Sequence, residues 1–383
     1  ALQGAPQSGK RPVLLAARNA HKALLYAAAL LDFDIRWLWP SAQAEGALCS
    51  CPVTAEALTG ALHAMAQQGN TPFGVYLTSP DYLGGVQELP ALAAVCRAQG
   101  VPLLVDNAHG AYLRFLPQNC HPIAQGAAMC CDSAHKTLPV VTGGAYLHLA
   151  HDAPVQDEAA VRGALALFGS TSPSYLILQS LDACNAVLAG DYPRRLVQCC
   201  AALEGLRRSL NKTAAARQCP VPLAVAGAQQ EPMKLTLDAA ALGCTGTALA
   251  DALRRAQLEC EYADPRYVVL MFTPENPPQD YTRLQTVLEQ LLAAVPAGLL
   301  RPENRAGEFA ALQQQAAQRC TIRQAVLGAQ VRVPVHKALG RVCAMPTVSC
   351  PPAIPVAVSG EEITPAAIAL MQRYGIEELS VLR

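Results

Sequence analysis

Short apolar runs alternate with helix-like segments through the first half of the chain. Strands are predicted at Pro12–Ala17, Ile35–Trp39, Gly74–Thr78 and Val101–Val105, and helices at Ala20–Leu31, Ala55–Gln67 and Val86–Ala98. Continuous apolar strands that alternate with helices are typical of a parallel sheet buried on both faces. The pattern therefore predicts an α/β fold, and ligands of such folds bind beyond the carboxyl ends of the strands.

The pattern changes near Leu196. The second half is predicted to hold strands at Met233–Leu237 and Tyr267–Phe272, and helices at Leu196–Ser209, Gly246–Ala256 and Tyr281–Val295. This is the pattern of a smaller α+β unit. A length of 383 residues is enough for two or three domains. We predict a large domain over residues 1–195, a small α+β domain over residues 196–300 and a C-terminal domain over residues 301–383.

Composition indicates an oligomer and argues against several partners. Hydrophobic residues make up 52% of the chain and charged residues only 15%, so we expect much of the surface to be covered by another subunit. The 29 basic and 29 acidic residues balance, which leaves no electrostatic footprint for nucleic acid. No apolar run reaches the roughly 18 residues that span a bilayer. Without a signal peptide or a membrane span, we expect a cytoplasmic protein.

The 15 cysteines do not form a metal-binding pattern. They are scattered through apolar segments, and Cys49 and Cys51 form a CxC pair without a matching pair nearby. Cysteines of this kind are usually small buried hydrophobic residues. We therefore predict no metal site, and we treat four of the histidines, His63, His121, His151 and His336, as ordinary residues.

Two charged residues follow apolar segments and suggest chemistry. Asp106 comes directly after the strand Val101–Val105, and Lys136 follows a later apolar segment. Pyridoxal phosphate (PLP) enzymes need such a pair. A carboxylate keeps the pyridine nitrogen protonated, and a lysine holds the aldehyde as a Schiff base. Burial of Lys136 would lower its pKa and favour this chemistry near neutral pH. We therefore predict a PLP enzyme.

Four neighbouring residues complete the predicted site. Ser133 and His135 flank the lysine and are predicted to bind the phosphate, and His109 is predicted to reach the ring hydroxyl. His21 follows the strand Pro12–Ala17, so it is predicted to stack on the pyridine ring. The alternative for His21 is a purely structural cap at the start of a helix.

The chain resembles the bacterial Orn/Lys/Arg decarboxylases, which are PLP enzymes of the aspartate aminotransferase fold (fold type I). The resemblance covers nearly the whole chain and rests on several short motifs. These are RNAHK (Arg18–Lys22), TSPDYLG (Thr78–Gly84), DNAHGA (Asp106–Ala111), SAHKTL (Ser133–Leu138), SPSY (Ser172–Tyr175), PPAIP (Pro351–Pro355) and Gly360-Glu361. It implies a fold type I large domain, a smaller α+β domain and a decarboxylase-type C-terminal extension.

The resemblance also implies individual roles. Lys136 would carry the cofactor, Asp106 would bind the ring nitrogen, His21 would stack on the ring and His109 would approach its hydroxyl. Ser133 and His135 would hold the phosphate. Ser170 and Thr171 would lie near the phosphate of a neighbouring subunit, which makes a homodimer the smallest active unit.

The chain also departs from the family pattern at several positions. Members carry a longer segment before the position of His21, which includes a Gly-Ser/Thr loop that supplies much of the phosphate site. We expect this chain to lack that segment. Asn107 also stands where the family usually has Glu, and Tyr112 where it usually has His.

The predicted reaction is α-decarboxylation of lysine, ornithine or arginine, with Lys136 or His135 returning a proton to Cα. The distal cation of the substrate needs a carboxylate partner. The candidates are Asp264, Glu275, Glu361 and Glu362. Two alternatives remain. One is a transaminase or lyase, with Arg266 binding the substrate carboxylate. The other is a non-catalytic homologue that has lost the phosphate loop.

Overall fold

The structure is a computed structural model that describes residues 11–40, 47–227, 229–295, 308–346 and 355–383. Two predictions fall outside these ranges. They are the first four residues of the PPAIP motif, residues 351–354, and the predicted domain boundary between residues 300 and 301. No helix in the described ranges is both long enough and apolar enough to cross a membrane.

A six-stranded sheet with the strand order β2-β1-β3-β4-β5-β6 dominates the first half of the chain. Its strands are β1 (Val13–Ala17), β2 (Asp34–Leu38), β3 (Val75–Thr78), β4 (Leu103–Asp106), β5 (Met129–Asp132) and β6 (Tyr146–Leu149). The first five strands run parallel, and β6 pairs antiparallel with β5. The parallel part of the sheet agrees with the sequence pattern.

Helices cover both faces of this sheet, as its apolar strands require. The helices in this part of the chain are α1 (Lys22–Leu31), α2 (Ala55–Gln67), α3 (Leu89–Ala98), α4 (Ala134–Thr137), α5 (Glu158–Phe168), α6 (Tyr175–Ala189) and α7 (Tyr192–Ala216). Leu14 of β1 belongs to the same hydrophobic cluster as Leu25 of α1. Leu15 points the other way and shares a cluster with Leu58 of α2 and Leu92 of α3.

Several helices differ in extent from the prediction, among them α3 and α7. Helix α3 begins at Leu89 instead of Val86, because the Val86 amide donates to the Gln229 carbonyl at 2.8 Å. Helix α7 runs from Tyr192 to Ala216 and is longer than predicted at both ends. Its buried stripe starts at Tyr192 and ends at Ala214, so packing stabilises turns that the local sequence pattern did not indicate.

The second half of the chain forms smaller units. A three-stranded antiparallel sheet has the order β7-β9-β8, and a separate antiparallel pair joins β10 to β11. The elements are β7 (Lys234–Asp238), α8 (Gly246–Arg255), β8 (Tyr262–Ala263), β9 (Tyr267–Met271), α9 (Pro278–Ala294), α10 (Glu308–Gln315), α11 (Ile322–Leu327), β10 (Gln330–Pro334), α12 (Pro365–Arg373) and β11 (Glu378–Leu382). The division into three domains at the predicted boundaries stays a prediction.

A buried ion pair connects the large sheet to the C-terminal segment. Arg18, directly after β1, donates to both carboxylate oxygens of Glu361 at 2.7 Å. The Arg18 side chain has no solvent exposure, and the Glu361 side chain has 7%. The guanidinium also lies over Trp37 and Trp39, at 5.0 and 4.5 Å from the ring centroids. Two of the sequence motifs therefore meet in one buried contact.

Candidate active site

The carboxyl ends of the parallel strands bring the predicted site residues to one edge of the sheet. Thr78 at the end of β3 pairs in register with Asp106 at the end of β4, and Asp106 pairs with Cys131 near the end of β5. The loops that follow β1, β4 and β5 carry His21, His109 and Lys136, respectively. A ligand at this edge meets side chains that are far apart in sequence.

Asp106 is buried and fixed in orientation. Its Oδ2 accepts a hydrogen bond from the Tyr76 hydroxyl at 3.0 Å, and its Oδ1 accepts one from the Ala108 amide at 3.1 Å. Burial raises the pKa of Tyr76 well above its ordinary value, and the charge of Asp106 adds to this shift. Tyr76 therefore stays protonated and donates. Sequence reasoning missed Tyr76, because a tyrosine inside an apolar strand looks like ordinary core.

Lys136 lies in the short helix α4, directly after β5. Its Nζ is 3.2 Å from Nε2 of His109. Burial lowers the pKa of Lys136, and the negative charges of Asp106 and Glu261 partly oppose this shift. A lowered pKa increases the fraction of neutral amine near neutral pH, which is the form that attacks a carbonyl.

His109 is a neutral hydrogen-bond acceptor for that amine. Burial lowers the pKa of His109 well below its ordinary value, and the charges of Lys234 and Lys136 act in the same direction. When Lys136 is an ammonium group it can only donate, so Nε2 of His109 then accepts and Nδ1 carries the proton. Nδ1 is buried and has no hydrogen-bond partner among the described residues. An unpaired buried donor beside a reactive amine is suited to an acceptor on a ligand.

His21 caps helix α1, which is the structural interpretation that its sequence position allowed. Its Nδ1 accepts a hydrogen bond from the Ala23 amide at 3.2 Å, so it caps helix α1. Burial lowers the pKa of His21, the carboxylate of Asp106 opposes the shift, and Lys136 adds to it. The His21 ring thus lies close enough to Asp106 and Lys136 for both charges to affect its pKa. The cap fixes the backbone there, while stacking on a cofactor stays a prediction.

Ser133 and His135 are held beside Lys136 by backbone contacts. The Ser133 carbonyl accepts from the Lys136 amide at 3.0 Å. Nδ1 of His135 donates to the Gly144 carbonyl at 2.9 Å, because a carbonyl can only accept. Nε2 of His135 is consequently the acceptor nitrogen of the neutral ring. Both side chains are half-buried, and their phosphate-binding roles stay predictions.

Glu261 was not among the predicted residues, yet its negative charge reaches the site. It lies just before β8 in the smaller antiparallel unit, is exposed, and raises the pKa of Lys136 against the effect of burial. The Tyr82 hydroxyl donates to Glu261 Oε1 at 2.5 Å, and the Tyr82 ring packs edge-on against His109. No local sequence signal marks Glu261, because its position depends on how two parts of the chain pack.

The four carboxylates proposed from sequence each have another partner. Asp264 Oδ1 accepts from the Arg266 and Tyr267 amides at 2.7 Å. The other three form ion pairs, Glu275 with Arg195, Glu361 with Arg18 and Glu362 with Arg319. Arg266, the candidate for binding a substrate carboxylate, is itself held by both oxygens of Asp238. Three of the four are thus neutralised by an arginine, and the Arg266–Asp238 pair weighs against the transaminase alternative.

Known proteins resemble this chain both in fold and in sequence family. The fold is that of the fold type I PLP enzymes, because the structure superimposes on the constitutive lysine decarboxylase of E. coli with a TM-score of 0.71. That superposition covers 97% of this chain and 67% of the other, at 18% sequence identity. The model for the Orn/Lys/Arg decarboxylase major domain matches residues 7–230, so the chain belongs to this family. The predictions of fold class and family are confirmed.

Two relatives show how far the likeness extends. The uncharacterized protein YaaO of Bacillus subtilis is 30% identical over 264 residues, which cover 67% of this chain and 52% of YaaO. The arginine decarboxylase of the same organism is 27% identical over 360 residues, which cover 91% of this chain and 70% of the relative. The chain thus spans about half the length of the first relative and more of the second.

Proposed function

We propose that this protein is a PLP-dependent decarboxylase that converts a basic amino acid to the corresponding amine and CO2. One observation carries the proposal. A buried aspartate and a lysine with a lowered pKa lie at the same edge of a parallel sheet, with the lysine 3.2 Å from a neutral histidine. Membership of the Orn/Lys/Arg decarboxylase family supports the reaction type.

The residues present fit PLP. Asp106 offers a fixed carboxylate to a protonated ring nitrogen, Lys136 offers an amine to the aldehyde, and His109 offers an unpaired buried Nδ1–H. We assign His21 to the ring face, and Ser133 and His135 to the phosphate. When bound, PLP supplies a protonated ring that accepts the electrons left by departing CO2.

The chain's own groups would position the substrate and move protons. Asp106, held by Tyr76 and by the Ala108 amide, keeps its negative charge directed at the cofactor site. His109 keeps the amine of Lys136 in place without adding charge. After CO2 leaves, either Lys136 Nζ or His135 Nε2 would deliver a proton to the substrate Cα. Either nitrogen would take from water the proton that it then delivers to Cα.

Release of CO2 and amine tests the proposal. The purified protein, supplied with PLP, should release CO2 from arginine, lysine or ornithine and form the matching amine, while leucine and glutamate should give no product. A visible absorbance band on addition of PLP should accompany the activity. Keto-acid formation without CO2 would indicate a transaminase. If neither a band nor a product formed, the chain would be a non-catalytic homologue.

We further propose that Glu261 binds the distal cation of the substrate. Glu261→Gln should reduce kcat/KM for the preferred basic amino acid by about 10- to 100-fold, mainly through KM. A hydrogen bond to a charged group contributes about 1.5–3 kcal/mol, and each 1.4 kcal/mol corresponds to about tenfold. Glu259→Gln is the matched control, since Glu259 is exposed and pairs with Arg254 at the surface. Equal losses in the two variants would refute the assignment.

We also propose a homodimer, because helices α5 and α6 expose an apolar surface. Helix α5 has no buried residue. The exposed fractions of Leu167, Phe168 and Tyr175 are 76%, 57% and 83%. Ser170 and Thr171 lie between these helices, and the family resemblance implies that they approach the phosphate of the neighbouring subunit.

Phe168→Asp should convert the dimer to a monomer and lower activity together with it. Burying one aspartate on each side of an apolar interface removes the hydrophobic gain and adds desolvation of an unpaired charge. Leu327→Asp is the control, because Leu327 is 60% exposed on helix α11. Light scattering after size-exclusion chromatography measures the mass. A wild-type monomer, or a Phe168→Asp variant that keeps the dimer mass, would contradict the proposal.

A further inference from the structure

Four side chains with metal-ligand chemistry lie together on strands β5 and β6 and the loop before β5. They are His121, Cys130, Asp132 and His148, which we call the His/Cys/Asp cluster. Cys130 and Asp132 lie two residues apart on β5 and so share one face of the strand. His148 on β6 pairs in register with Cys130, and His121 lies in the loop before β5. The sheet therefore assembles a set that is scattered in sequence.

Three of the four ligand atoms, those of His121, Cys130 and Asp132, all lie within 4.8 Å of one another, and His148 contacts this set through Asp132. Nε2 of His121 and Nε2 of His148 lie 3.1 and 3.0 Å from Oδ2 of Asp132, and Sγ of Cys130 lies 3.7 Å from Nε2 of His121. Tetrahedral zinc, with bonds of about 2.0–2.1 Å to N and O and about 2.3 Å to S, places N and O ligands about 3.3 Å apart and N and S ligands about 3.6 Å apart. Small shifts would fit these three ligand atoms around one ion, and His148 would move from its contact with Asp132 to complete the shell.

A catalytic triad does not explain this arrangement. In a triad, the histidine contacts the acid through one ring nitrogen and the nucleophile through the other. Here Cys130 and Asp132 both contact the same atom, Nε2 of His121. Both groups on one nitrogen are instead the arrangement expected of ligands that face a common ion, which would deprotonate the thiol on binding it.

The surroundings support an ion in the cluster. Asn107 donates to Oδ1 of Asp132 at 2.7 Å, which orients the carboxylate and directs Oδ2 toward the two histidines. His148 is 37% exposed, and it lines a cavity of about 560 Å³ together with His121 and Asp132. The cavity gives an ion a route to the cluster.

We propose that the His/Cys/Asp cluster binds one Zn²⁺ ion. Two imidazoles, a thiolate and a carboxylate form a ligand set that suits zinc, and four protein ligands are typical of a structural site. The ion would join β5, β6 and the preceding loop. It would also tie them to Asn107, next to Asp106. The site does not depend on the proposed decarboxylation, because none of its four ligands belongs to the predicted PLP site.

Zinc titration of the chelator-treated chain tests the proposal. The wild-type protein should take up one Zn²⁺ per chain with a submicromolar dissociation constant, measured in competition with a chromogenic chelator. X-ray absorption should show one sulfur at about 2.3 Å and the remaining N and O ligands at about 2.0–2.2 Å. Binding weaker than micromolar, or a spectrum without a sulfur ligand, would overturn the proposal.

Two variants and two matched controls locate the ion. His148→Ala and Cys130→Ala should each weaken binding at least about 100-fold, since changes outside the ligand shell alone cost about 10- to 100-fold. His151→Ala and Cys96→Ala should bind as wild type, because His151 is exposed and Cys96 is buried on α3. His148 is partly exposed, so its variant should fold. Retained binding in His148→Ala, or an equal loss in a control, would refute the site.

Discussion

Lys136→Ala should abolish decarboxylation of basic amino acids, with a loss of at least about 10³-fold in kcat. Proton transfer alone contributes about 10²- to 10⁴-fold, and this lysine is also the proposed attachment point of the cofactor. The structure supports a reactive amine, because burial lowers the pKa of Lys136 and its Nζ contacts the neutral His109. Initial rates of CO2 release from arginine, lysine and ornithine measure the effect.

The same variant should lose covalent attachment of PLP. Borohydride treatment of the PLP-loaded wild-type protein should label the peptide that contains Lys136, and mass spectrometry identifies it. Lys337→Ala is the control, because Lys337 is exposed and lies in the second half of the chain, outside the predicted site. It should keep both activity and label. Full activity in Lys136→Ala, or a label on another lysine, would refute the assigned role.

Glu361→Gln should lower the free energy of unfolding by about 3–5 kcal/mol, the typical cost of breaking a buried ion pair by removing one partner. The Arg18 side chain has no solvent exposure, and its Nε already lacks a hydrogen-bond partner in the described part of the chain. Loss of the carboxylate would leave the guanidinium charge with the Pro355 carbonyl at 3.3 Å and two tryptophan rings. These contacts do not neutralise it.

The neighbouring residue provides a matched control. Glu362 also pairs with an arginine, but Arg319 is 58% exposed, so Glu362→Gln should cost no more than about 1 kcal/mol. Urea unfolding followed by circular dichroism compares the two variants. The double variant Arg18→Met/Glu361→Gln should lose less free energy of unfolding than the two single variants lose in sum, because it leaves no unpaired charge. Similar costs for Glu361→Gln and Glu362→Gln would contradict a dominant buried pair.

The sequence alone determined the parts of the site that depend on local pattern. Apolar runs separated by helices specify a parallel sheet, and residues directly after such runs must lie at its carboxyl edge. The strand pattern is therefore enough to place Asp106, His109 and Lys136 together. The cap at His21 is local too, because it involves an amide only two residues away. Family motifs added the cofactor and the reaction to this picture.

Contacts between distant segments cannot be found in this way. Arg18 and Glu361 both lie in sequence motifs, but nothing in the sequence shows that they pair across 343 positions. Glu261 has no sequence signal, and the four acidic residues proposed for its role are held by other groups. The sequence indicates no role for His121 and only an ordinary buried cysteine at Cys130, because their spacing matches no metal motif.

Strand pattern and tertiary structure thus decide different things. An apolar strand reveals which end carries polar residues, because burial of its side chains is a local requirement. Which side chains meet across strands depends on register and on the packing of separate units, and register is fixed only when the whole core forms. The position of Asp106 and Lys136 at one edge of the sheet follows from the local strand pattern. Register and packing decide the rest, namely the Arg18–Glu361 pair, the position of Glu261 and the His/Cys/Asp cluster.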